Sequence, residues 1–130
     1  MRQEVLDYIN GIDLKGFTLS HEIPWTDSET PLYLKNPKRI YVDVTNYTTD
    51  PLFLTLDGTN IDQDVASVTV VFSNDAKQLA GSYDSLVSQL KAGKNSIQAI
   101  GNYRREVEVA TEFDNDMLVT ELTYRFIKIT

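Results

Sequence analysis

Two alternating runs on either side of Asp114, Asn115 and Asp116 constrain this chain more than any other part of it. In the first, Arg105, Val107, Val109, Thr111 and Phe113 fall on one side, and Arg104, Glu106, Glu108, Ala110 and Glu112 on the other. That period of two marks a half-buried strand. In the second run, Leu118, Thr120, Leu122, Tyr124 and Phe126 form the apolar face, and Glu121, Thr123 and Arg125 dominate the opposite one. Together the runs predict an antiparallel hairpin, whose register must put both apolar faces on one side of the sheet. Setting Phe113 against Leu118, with 114–117 as a four-residue loop, places Glu106 across from Arg125 and Glu108 across from Thr123. Setting Phe113 against Asp116 opposes Glu108 to Glu121 and Arg104 to Arg125, and each such like-charge pair costs a few tenths to ~1 kcal/mol. The four-residue loop is therefore expected.

Upstream, the pattern alternates between helix and strand. Arg2 to Asn10 carries Val5, Leu6 and Ile9 on one helical face and meets Gly11, a suitable stop. Residues 12–37 read as irregular, with a short strand within Phe17–His21. From Arg39, Ile40, Val42 and Val44 alternate with Tyr41, Asp43 and Thr45; Leu52, Leu54 and Leu56 resume the alternation before Asp57 and Gly58, a tight-turn signal. Ala66, Val68, Val70 and Phe72 form another buried face. Asp75 with Gln78 three residues on resembles a capping box, and Leu79, Tyr83, Leu86, Val87 and Leu90 form one apolar stripe toward Gly93, placed as a C-terminal glycine. Gly93 to Gly101, which lacks P-loop spacing, then reads as a helix-to-strand connection. Strands with one apolar face and two amphipathic helices to cover it predict an α+β two-layer sandwich: a mixed or antiparallel β-sheet with two helices packed on one face. A chain of 130 residues suits one domain spanning 1–130, without repeat or linker.

Composition removes several functions. With no cysteine there is no disulfide framework or thiol chemistry. The N-terminus lacks a signal-peptide pattern and no run approaches ~18 apolar residues, so no secretory or membrane address is expected. Lys plus Arg number 12 against 19 Asp plus Glu, a net charge of -7, and no basic block offers the counterion release on which nucleic-acid affinity depends. His21 is the one histidine and reads as a surface or structural residue, so no Ser/His/Asp system is expected and the chain is not read as an enzyme. Asn60, Asp62 and Asp64 are spaced like calcium ligands, but Val65 and Val71 stand where that loop needs glycine and glutamate, so they read as a solvated turn. Glu106, Glu108 and Glu112 read as an outward strand face before a metal patch. No cofactor or metal is expected.

Tyr103, Arg104 and Arg105 followed by Glu106, then a spacer, then Leu122, Thr123 and Tyr124, resemble the C-terminal hairpin of the lambda-type siphophage tail terminator family. The rest of the chain agrees with that family in size and order of elements. The resemblance implies a virion structural protein made in the host cytoplasm, which forms a hexameric ring on the head-proximal end of the tail tube. Such a ring stops tube polymerisation and offers its other face to head-completion or neck proteins. Partners would be further copies of the chain, the tail tube protein and the neck protein, with DNA only as passing cargo. A head-tail connector or another minor tail protein is one alternative; an α+β domain binding a small molecule or peptide is another.

Two groups of residues are candidates for such a role. For a subunit or partner interface these are Trp25, Tyr33, Tyr41 and Tyr47, aromatic residues in or beside irregular and polar stretches, together with Arg104, Arg105, Glu106 and Arg125 of the hairpin. Trp25 either joins such an interface or folds back over the sheet. For an acidic lumen lining the candidates are Asp57, Asp62 and Asp64 on one polar connection and Asp114 and Asp116 on another.

Overall fold

The computed structural model describes residues 1–25, 30–54, 58, 60–75, 82–97, 104–114 and 116–129. Elements follow in the order α1 (Arg2–Asn10), β1 (Thr18–Leu19), α2 (Leu32–Lys35), β2 (Arg39–Val42), β3 (Asn46–Leu54), β4 (Asn60–Asp75), α3 (Ser82–Ser96), β5 (Arg104–Asp114) and β6 (Met117–Ile129). This is the expected α+β class: the described residues form a mixed sheet of six strands with three helices. No described helix is long and apolar enough to cross a membrane.

The sheet runs β1-β2-β4-β6-β5, with β3 also pairing β4. β4 is its spine. One side of β4 pairs with β6 from Gln63↔Ile129 to Asp75↔Met117; the other side is shared, β3 taking Asn60–Ser67 and β2 taking Val70 and Val71. β1 and β2 are parallel; the remaining pairs are antiparallel.

Alternation decides which side of the sheet is covered. Ala66, Val68, Val70 and Phe72 of β4 and Leu118, Leu122, Tyr124 and Phe126 of β6 face α1 and α3, which supply Val5, Leu6, Ile9, Tyr83, Leu86 and Leu90 to one core. Each Val, Leu, Ile or Phe among them, when fully buried, contributes about 1.5–3 kcal/mol. Phe72 is the hinge of this layer, meeting Phe17 edge-on at 5.3 Å and Tyr83 at 6.1 Å. The opposite face carries a smaller cluster of Tyr41, Val71 and Val119 under Leu32, Tyr33 and Leu34. Two helices thus pack on one face as expected, and the single turn of α2, read as irregular from sequence, caps the other face locally.

Several local readings are corrected. Gly93 does not end a helix: α3 continues to Ser96, and Gly93 is buried inside it because its missing side chain makes room for Tyr8 and Tyr124. Gly93 to Ser96 is accordingly helix rather than connection, and 98–101 lie outside the described residues. Asp75 closes β4 opposite Met117; Gln78 and Leu79, and with them the expected capping box, lie outside the described residues. Gly11 ends α1, but at φ -93 and so without a left-handed turn. Gly58 does adopt φ +87, as a tight turn requires, while Asp57 and Leu56 lie outside the described residues.

The hairpin register is as derived, with Phe113↔Leu118, Glu106↔Arg125 and Glu108↔Thr123. Its loop is shorter than expected. Pairing continues one step further, to Asp114↔Met117. Asp116 sits at φ 63, the left-handed conformation that a two-residue hairpin loop demands and that aspartate tolerates.

Candidate functional site

Most of the interface candidates singled out from sequence, but not the acidic ones, lie on the sheet face turned away from α1 and α3. Next to the α2 cap this face carries a polar stretch, beyond which Val65 and Ile127 are again buried. A shallow groove of about 570 Å³ runs across it, floored by Ser67, Thr69 and Thr123, with Asp43 to Asn46 on one flank and Glu108 and Arg125 on the other. The Thr69 and Thr123 hydroxyls bond to each other at 3.1 Å across β4 and β6. On the hairpin flank, charges of alternating sign link into a chain: Arg104 Nη2 lies 3.2 Å from Glu106 Oε1, and Arg125 Nη1 lies 3.4 Å from Glu106 Oε2 and 3.8 Å from Glu108 Oε1. The cross-strand pairing of Glu106 and Arg125 follows from the register. Arg105 points to the other face, opposite Phe126.

Aromatic residues flank the same face on the α2 side. Trp25 Nε1 donates to Asp43 Oδ2 at 2.8 Å, and its ring meets Tyr33 edge-on at 5.6 Å and 88°. Trp25 therefore folds back onto the sheet while remaining 49% exposed. Tyr41 does not belong with the surface aromatics. It is fully buried beneath α2, because Tyr41 pairs with Val71 on the capped part of the face, and its hydroxyl accepts from Asn36 Nδ2 at 3.0 Å. Tyr47 is exposed but elsewhere: it sits on β3 opposite Ala66, on the helix side and beyond the helices.

The acidic candidates do not form one patch. Asp62 and Asp64 lie within β4 rather than in a turn, near the end of the sheet where β6 finishes, and Asp64 Oδ1 accepts from Thr49 Oγ1 at 2.8 Å. Asp114 and Asp116 are at the opposite end, where β5 turns into β6. Asp57 and the side chain of Asp114 lie outside the described residues. Among the described residues, no group of three or more His, Cys, Asp or Glu side chains is arranged to hold a metal ion. His21 is exposed, and its carbonyl accepts from Arg2 Nη2 at 3.0 Å.

Three features were not read from sequence. Arg2 clamps α1 to the junction of β2 and β3, its backbone N–H donating to Thr45 Oγ1 and its Nε to the Val42 carbonyl, both at 3.0 Å. Nothing in local sequence marks that long-range bond. Val109 and Phe113, expected on the covered face of the hairpin, are exposed, Phe113 at 74%. Their strand is at the sheet edge, where Val107 still packs against the core while the helix side of the strand beyond it is left open. Tyr124 is the third: its hydroxyl donates to the Leu90 carbonyl of α3, and burial raises its pKa, with Tyr8 adding a smaller push.

No protein-family model matches the chain, and no curated protein matches it in sequence.

Proposed function

We propose that this chain is a tail-terminator-like structural subunit of a phage virion, which caps the head-proximal end of a tail tube as a hexameric ring. One ring face would copy the contacts of a further tube ring and the other would lack the surface that recruits the next, so that polymerisation stops there and a head-tail joining surface is left. The partners are other copies of the chain, the tail tube protein and a head-completion or neck protein; DNA passes through as cargo, and no cofactor takes part.

The observation that carries this reading is the C-terminal hairpin. The segments that bear the resemblance, Arg104 to Glu106 and Leu122 to Tyr124, belong to two strands paired along their length, and the outer strand presents a charged face and an open edge. An open edge and a surface of alternating charge suit association by shape and charge complementarity. Imaging and sedimentation of the pure protein, with and without tail-tube ends, test it. Six-fold rings on tube ends are expected; a strict monomer that ignores tube ends would sink the reading.

The polar groove favours a second reading, a domain that binds a small molecule or a peptide across the sheet. That reading requires a stable monomer with a saturable ligand. A connector or other minor tail protein would instead bind the portal vertex and leave tube ends uncapped.

A further inference from the structure

Among the described residues, two of the sheet's edge strands, β3 and β5, each carry an exposed aromatic side chain. Among the described residues β3 pairs with β4 alone and β5 with β6 alone. Tyr47 on β3 and Phe113 on β5 are 70% and 74% exposed, more than any other large hydrophobic residue described. Both face the helix side, Tyr47 opposite Ala66 and Phe113 opposite Leu118. An open strand edge is a template for another strand, and an apolar side chain beside it gives that strand something to pack on.

Topology sets the polarity of any such meeting. β3 is antiparallel to β4, β4 to β6 and β6 to β5, so β3 and β5 run in opposite directions. A second copy laid edge to edge, with its helices on the same side, therefore brings its β5 to the first copy's β3 as an antiparallel pair.

We propose that β5 of one copy adds to β3 of the next, head to tail, with Phe113 opposite Tyr47. Matching the two faces of the sheet restricts pairing to alternate registers. Asp50 is the only charged residue of β3, and neighbouring registers set it directly against Glu106, Glu108 or Glu112. With Tyr47 opposite Phe113, Asp50 faces Ala110, Thr49 faces Thr111 and Thr48 faces Glu112. The register that puts Asp50 against Arg104 would slide Asp114 alongside Ile40, whose outer side β1 already occupies through Leu19. In the proposed register β5 ends opposite Asn46, where β3 begins. Pro51 has no N–H to give, which limits the ladder to Asn46–Asp50 against Ala110–Asp114. So short a ladder is weak until a tube end gathers the copies.

A two-fold pairing of β5 with itself would leave the edge of β3 and Tyr47 uncovered, and its extensive registers each oppose glutamates, although the one centred on Glu108 also sets Arg104 against Glu112. The proposed contact is heterologous, the kind that closes rings. It rests on the ring reading above for closure, and names the edges by which neighbouring copies meet.

The chain contains no cysteine, so disulfide trapping has no background. Tyr47→Cys and Phe113→Cys would be made separately and together, oxidised over a concentration range and on tube ends, with circular dichroism to verify folding. The mixture of single variants should give a linked dimer, the double variant a ladder of linked oligomers, and each single variant no dimer. Thr49→Cys with Thr111→Cys tests the same register at a second pair. A dimer from Phe113→Cys without its partner variant would overturn the proposal. Visible six-fold rings with neither pair linked would overturn it too, while leaving the ring reading intact. A linked ladder that fails to cap tubes would support the edge pairing and reject the tail reading; neither rings nor links would reject both.

Discussion

Gly93 lies so close to Tyr8 that a β-carbon at position 93 would stand 2.7 Å from Tyr8 Cε1 and 3.0 Å from the Tyr124 hydroxyl. The close approach seats α3 against α1 and β6, where Tyr8 donates to the Gln89 carbonyl at 2.5 Å and Tyr124 to that of Leu90.

Gly93→Ala should therefore destabilise the protein, although alanine is the better helix former by about 1 kcal/mol. Overpacking costs about 1–3 kcal/mol, and the buried, bonded Tyr124 hydroxyl leaves little room to yield. A net loss of about 1 kcal/mol in urea unfolding is expected from these opposing effects. In a Tyr8→Ala background the loss from Gly93→Ala should shrink.

Tyr124 makes stability pH-dependent in the alkaline range. Burial holds its folded-state pKa above the ordinary tyrosine value near 10, so above that pH the unfolded chain releases a proton that the folded chain keeps. The contribution is fully present below pH ~10 and is lost as pH rises through the folded value. Burial raises Tyr8 in the same direction. The urea midpoint should fall above pH ~10, and Tyr124→Phe should flatten that fall while lowering stability at pH 7. An unchanged alkaline slope in Tyr124→Phe would remove this assignment.

Glu106 and Arg125 are each partly exposed, so their pairing should be worth only ~0.2–1 kcal/mol in a double-mutant cycle, less in high salt. Assembly should respond more strongly. Arg104→Glu and Arg105→Glu should keep the circular dichroism of the native fold and lose ring formation on tube ends, measured by sedimentation. Normal assembly by both variants would exclude these arginines from the interface.

An acidic lumen requires a choice between two ends of the sheet, since Asp62 and Asp64 lie at one and Asp114 and Asp116 at the other. Repulsion of phosphates acts over only ~8 Å at physiological ionic strength, so only the group at the narrowest section can influence DNA passage. Neutralising Asp62 and Asp64 together, or Asp114 and Asp116 together, should slow DNA release in one case and leave it unchanged in the other. No change in either would make the net charge a matter of solubility.

Local periodicity made much of this architecture readable. The alternation of Val107 with Glu108, and of Leu122 with Thr123, defines two strands without reference to anything distant. The cost of opposing glutamates then selects Glu106↔Arg125, because directly opposed side chains interact within a few ångströms. The stripe of Tyr83, Leu86 and Leu90 likewise marks the face by which α3 packs. What failed were positions whose role depends on a neighbour far along the chain. Gly93 has the local look of a helix terminator, and only Tyr8 and Tyr124 make it an interior packing residue.

The sequence by itself determined the class of the fold, the hairpin register and the faces of the long strands, because each follows from side-chain period and nearest-neighbour charge. Tertiary structure alone decided what those faces meet. It buried Tyr41 beneath a one-turn helix, folded Trp25 onto Asp43, and left Phe113 and Tyr47 uncovered on opposite edges. Period two assigns a residue to a side of a strand, but whether that side is covered depends on where helices end and which strand lies at the margin, and those are relations among segments brought together only by folding.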